Sequence, residues 1–95
     1  MQIDKLKGQE LYDLFDGILS LETKEDCYKF FDDICTSNEL VALKQRFQVA
    51  KLIDKGKTYS KIQEETGASS ATVSRVKRCL DYGSEGYKTV LDRLK

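Results

Sequence analysis

Residues 58–80 read TYSKIQEETGASSATVSRVKRCL, and the middle of that run decides the fold. Gly67 accepts the positive φ that a tight turn between two short helices requires, at no steric cost. Around it the apolar residues fall where two crossing helices must touch. Ile62 comes five residues before the glycine, Ala68 directly after it, and Val73 and Val76 share the inner face of the second helix. Thr58 is placed to cap the first helix, and Ser69 or Ser70 the second. The outer face keeps Ser69, Ser70, Ala71, Ser74, Arg75 and Arg78. Short side chains let a helix backbone approach base edges, and arginines pair with guanine or with phosphate. The spacing therefore predicts a helix-turn-helix over 58–80 whose second helix enters the major groove of double-stranded DNA. The expected contact residues are Lys61, Ser69, Ser70, Ala71, Thr72, Ser74, Arg75, Lys77 and Arg78, the two lysines on phosphate. An ordinary helical bundle would share the periodicity, but not a face of hydroxyls and arginines.

The charge distribution points the same way. The 95-residue chain has 16 Lys/Arg and 16 Asp/Glu, so its formal net charge is zero. Residues 1–39 hold 4 Lys/Arg against 10 Asp/Glu, a net −6, whereas residues 40–80 hold 9 against 3, a net +6. The basic half coincides with the helix-turn-helix, as phosphate binding requires. The acidic half is expected to face away from a duplex and to weaken sequence-independent binding.

Ninety-five residues make one domain, modest in core and marginal without help. Pro and Trp are absent and helix formers abound, which favours an all-α chain. A first helix is expected from about Gly8 to Leu19, with Leu11, Leu14, Phe15, Ile18 and Leu19 on one face. Thr23 is expected to cap a second, burying Cys27, Phe30, Phe31 and Ile34. Ser37 is expected to cap a longer third helix that Gly56 ends. Leu40, Leu43, Phe47 and Ala50 form one stripe along it; Val41, Val49, Leu52 and Ile53 form much of another. A helix apolar on two faces must be covered on both, and a second copy of the chain is the simplest cover. A last helix is expected from a Ser84 cap, with Tyr87, Val90, Leu91 and Leu94 inward. The organisation is thus one domain over 1–95: dimerisation helices over 8–56, a DNA-reading head over 58–80 and a C-terminal helix over 84–95.

Several classes are disfavoured. No stretch is long or apolar enough to cross a membrane, and MQIDKLKGQE lacks a signal-peptide core, so the expected location is cytoplasmic. With no His, the scattered Cys27, Cys35 and Cys79 make no metal site, and the first two read as small core residues in a reducing compartment. No nucleophile has a recognisable base and no Gly-rich phosphate loop exists, so neither enzymatic chemistry nor a cofactor is expected. Asp32-Asp33 and Glu64-Glu65 are adjacent pairs, which splay apart on a helix instead of converging. A protein-interaction module on an inherited helix-turn-helix scaffold is the alternative reading, and salt dependence separates it from DNA binding.

The run TSNELVALKQRFQVAKLIDKG over 36–56, followed by GASSATVSR over 67–75, resembles the tryptophan repressor superfamily, and within it the small YerC/YecD-type branch of Gram-positive bacteria. The likeness covers roughly residues 10 to 95. It is strongest at Ala42-Leu43, Arg46, Gly56, Gly67-Ala68, Ala71-Thr72 and Ser74-Arg75. It implies a six-helix, intertwined homodimer that binds a palindromic operator and regulates transcription, a repressor being the expected sign. Thr36, Arg46 and Arg75 correspond to the residues that surround the amino-acid corepressor in the tryptophan-responsive repressor. Position 76, however, is a glycine there and a valine here. A β-branched side chain fills the space that an indole ring would need. The resemblance thus implies DNA binding, and the departure from it at Val76 leads to the expectation that tryptophan is not the corepressor.

Overall fold

Six α-helices and no strand, preceded by a 3-10 turn over Gln2–Leu6, make up the computed structural model, which describes residues 1–95. The helices are α1 (Gln9–Leu19), α2 (Lys24–Ile34), α3 (Ser37–Asp54), α4 (Tyr59–Thr66), α5 (Ser70–Tyr82) and α6 (Gly86–Arg93). The chain divides into two units, Met1–Leu40 and Val41–Lys95.

In the first unit the caps are local and specific. The Thr23 hydroxyl accepts the Asp26 N–H at 3.0 Å, while the Asp26 carboxylate accepts the Glu22 N–H at 3.1 Å. At the start of α3 the cap is Thr36 and not Ser37. Its hydroxyl accepts the Glu39 N–H at 3.2 Å, and its own N–H donates to Glu39 Oε1 at 2.8 Å. This reciprocal pair is a capping box, which satisfies two helix-end donors at once. It outcompetes Ser37 because Glu39 stands three residues after Thr36. The two bonds hold the Glu39 carboxyl below its usual pKa, the main-chain donor of Thr36 contributing most and its side chain next.

No residue of α1 or α2 is buried within the chain. Phe30 and Phe31 meet edge to face with ring centres 5.3 Å apart, yet Leu19 remains 82% exposed. Cys27 is exposed and Cys35 only half-buried, so neither is the core residue that the helical stripe suggested. The reason is geometric. Two short helices present apolar faces without enclosing an interior.

The second unit does have a core. Val49 and Ala50 of α3, Ile62 of α4, Ala68 of the turn, Val73, Val76 and Leu80 of α5, and Leu91 of α6 form one buried cluster. Phe47, Leu52, Ile53 and Tyr87 pack against it. Towards the start of α3, Val41 and Leu43 stay about half exposed, at 54% and 48%. Gly56, at φ +80, ends α3: its N–H bonds the Ile53 carbonyl at 2.9 Å and the Lys57 N–H bonds that of Leu52 at 3.1 Å. These are the two bonds of a Schellman turn. The last helix starts one residue later than expected, with Glu85 as its N-cap instead of Ser84. Glu85 adopts φ +66, an uncommon conformation for a residue with a side chain.

Candidate nucleic-acid interface

The helix-turn-helix is built as the residues dictate. Thr58 caps α4 through the Lys61 N–H at 3.2 Å. Gly67 ends α4 at φ +71, in the left-handed region where glycine avoids the Cβ penalty. Thr66 reinforces the corner: its hydroxyl donates to the Ile62 carbonyl at 2.7 Å and accepts the Ala68 N–H at 3.1 Å. Ser69, not Ser70, caps α5, its Oγ accepting the Thr72 N–H at 3.1 Å and meeting Thr72 Oγ1 at the same distance. Thus Ser69 and Thr72 are engaged in holding the helix start, whereas Ser70 and Ser74 stay free on the outside.

Burial on α5 separates two faces. Val73, Val76 and Leu80 are buried, while Ser70, Ala71, Ser74, Arg75 and Arg78 are exposed and Thr72 and Lys77 are half-buried. A rigid apolar underside therefore carries a polar outer face. The cations on it differ in kind. Lys61 pairs with Glu65 at 3.8 Å and Lys77 with Asp81 at 3.3 Å, each within its own helix. Arg75 and Arg78 take part in no ion pair of the chain.

Arg46 of α3 and Arg75 of α5 converge on one cleft. Ala71, Thr72, Val76, Cys79 and Tyr87 complete its lining, and its volume is about 240 Å³. Small-molecule sites usually span roughly 300–1,000 Å³, so this one is small. Val76, only 2% exposed, belongs to both the cleft wall and the core. Arg46 makes no ion pair within the chain. Thr36 is not among the lining residues; its polar groups are bonded to Glu39. Tyr87 is the member that sequence reasoning placed only in the apolar face of the last helix. Burial pushes its phenol above the usual pKa and the nearby Cys79 adds to this, against the opposing pull of Arg46 and Arg75. A tyrosine on an apolar stripe gave no sequence signal that it would line the same cleft as two arginines from two other helices.

A second groove, about 580 Å³, lies between α3 and α4 and is lined by Val41, Lys44, Gln45, Gln48, Leu52, Glu65 and Thr66. No cluster of His, Cys, Asp and Glu suited to a metal ion occurs, and no helix is long and apolar enough to cross a membrane.

Comparison with known proteins places this architecture. The profile of the family described as Trp repressor protein matches residues 9–95. The uncharacterized protein YerC of Bacillus subtilis (strain 168) is 60% identical over 95 residues, covering 100% of this chain and 91% of that protein. A crystal structure of a candidate Trp repressor from Staphylococcus aureus superposes with a TM-score of 0.96 at 57% identity, over 99% of this chain and 94% of that one. A TrpR-like protein from Eubacterium eligens ATCC 27750 gives 0.92 at 52% identity, over 96% and 94%.

Proposed function

The chain belongs to the Trp repressor protein family, and from that membership we propose that it is a sequence-specific transcriptional regulator that represses by occupying a palindromic operator as a homodimer. The single observation that carries this reading is α5. Ser70, Ala71, Ser74, Arg75 and Arg78 lie outward on it, over a buried row of Val73, Val76 and Leu80. A reading helix needs that combination, because base contacts demand a fixed backbone and polar tips. Arg75 and Arg78 supply guanine or phosphate pairing, and Ser70 and Ser74 supply adaptable contacts. Ser69, Ala71 and Thr72 bring the helix start close to the duplex, and Lys61 and Lys77 flank it, each beside a carboxylate of its own helix.

Residues 8–56 supply the dimer interface in this reading, 58–80 the DNA head and 84–95 a closing helix. Leu19 is largely uncovered in one chain, and Val41 and Leu43 are about half exposed. Burying each such side chain is worth roughly 1.5–3 kcal/mol, and a second copy provides the cover. Arg46 and Arg75 beside a cleft walled by Val76 fit a head fixed by core packing, with no tryptophan corepressor.

Selection of bound duplexes from a random pool tests the proposal. Enrichment of a palindrome with half-sites about one helical turn, roughly 34 Å, apart is the expected result. Recovery of no sequence, with binding insensitive to salt, would instead favour a protein-interaction role.

A further inference from the structure

Both lysines of the head approach a duplex already partnered. Lys61 Nζ lies 3.8 Å from Glu65 and Lys77 Nζ lies 3.3 Å from Asp81, each carboxylate one turn further along the same helix. The core gives no reason for these two acids. Glu65 and Asp81 are exposed, and they accept no hydrogen bond from a buried group. Arg75 and Arg78, exposed on α5, have no acidic partner at all.

We propose that Glu65 and Asp81 are positioning residues that limit sequence-independent DNA affinity by holding Lys61 and Lys77 on the protein. This role presupposes the DNA-reading head proposed above. A lysine that neutralises a phosphate releases condensed counterions and adds roughly 0.9 to the salt slope of binding. A lysine within 4 Å of its own carboxylate brings no net charge to the duplex. While it stays paired the general attraction to DNA falls, and binding depends on Arg75 and Arg78, which can read guanine bidentately. Exposed pairs of this kind are weak in water. Their effect should therefore appear in salt dependence, not in stability.

The test is the salt slope of the full-length protein on a duplex of arbitrary sequence, measured by fluorescence anisotropy. Glu65→Gln and Asp81→Asn should each steepen the slope by up to roughly 0.9 per lysine released, and should tighten binding at low salt. Lys61→Gln and Lys77→Gln should barely change it, and Glu65→Gln should lose its effect once Lys61 is already Gln. Lysine substitutions that flatten the native slope by that full amount would overturn the role. So would a Glu65→Gln effect that persists without Lys61, since simple repulsion would then explain it. If the native chain binds no duplex at any salt, the DNA reading itself fails. Ammonium NMR of the free protein then decides the pairing alone: the Lys61 and Lys77 ammonium groups should become more mobile in Glu65→Gln and Asp81→Asn, and unchanged mobility would refute it.

Discussion

The side-chain amide of Gln45 donates to the main-chain carbonyl of Thr66 at 3.3 Å, joining α3 to the last residue of α4 across 21 positions of sequence. The carbonyls at a helix end lack intrahelical partners, and this one is answered from the helix beneath. The bond ties the corner of the helix-turn-helix to the element that carries Val49 and Ala50 into the core.

Gln45→Ala should therefore destabilise the protein by about 0.5–1.5 kcal/mol, the usual net worth of one such bond. Amide exchange should quicken at Gly67 and Ala68 more than in α6. Uniform exchange with unchanged thermal stability would show that the head is held by packing alone.

Arg75→Ala and Arg78→Ala should each weaken operator binding by roughly 1–3 kcal/mol if the arginine pairs bidentately with a base. Ser70→Ala and Ser74→Ala should shift sequence preference more than total affinity. Titration against the selected operator and a scrambled duplex distinguishes these outcomes. Unchanged binding in both arginine variants would remove α5 as the reading helix.

Phe47 packs against the cluster of Val49, Ala50 and Ile62, on a helix whose Val41 and Leu43 remain open. Phe47→Asp should abolish folding or dimerisation, because a carboxylate at an apolar contact lacks any partner. Sedimentation of the native chain should give a dimer at micromolar concentration. A folded native monomer there would overturn the dimeric reading.

Glu39 predicts a pH dependence. Its carboxyl pKa is lowered in the folded chain by the Thr36 N–H first and the Thr36 side chain next. A depressed carboxyl stabilises above its unfolded pKa, and the contribution is lost as pH falls through the folded value. Glu39→Gln keeps an acceptor but removes the charge. The stability difference between native and variant should be present at neutral pH and close on acidification below the carboxylate range. A difference independent of pH would show that the capping box works through the neutral acceptor alone.

Tryptophan should not act on this protein. Val76 is 2% exposed and part of the core, so opening space for an indole beside it means repacking at a cost of order 1–3 kcal/mol. Calorimetry with L-tryptophan should show no saturable heat at millimolar ligand, and operator affinity should not depend on it. Micromolar binding would mean that Arg46 and Arg75 still hold a carboxylate despite Val76.

Local chemistry was readable from the sequence wherever a residue's role depends on its immediate neighbours. Thr23, Thr58, Gly56 and Gly67 act where the spacing places them, since caps and left-handed turns are decided within four or five residues. The inward row of Ile62, Ala68, Val73 and Val76 was equally legible, because helical periodicity alone sorts two faces. Even the local rules failed where two candidates competed. Thr36 displaced Ser37 because only it has a carboxylate three residues on, and Glu85 displaced Ser84 at the start of α6. Relationships between helices were legible only in part: the family resemblance brings Arg46 and Arg75 to one site, but Tyr87 joins their cleft only through the packing of α3, α5 and α6. The pairing of Lys61 with Glu65 and Lys77 with Asp81 depends on side-chain rotamers that spacing permits but does not choose. The exposure of Cys27 followed from a missing enclosure, not from its position on the stripe. Sequence fixes which face of a helix is apolar, and tertiary packing alone decides what, if anything, that face meets.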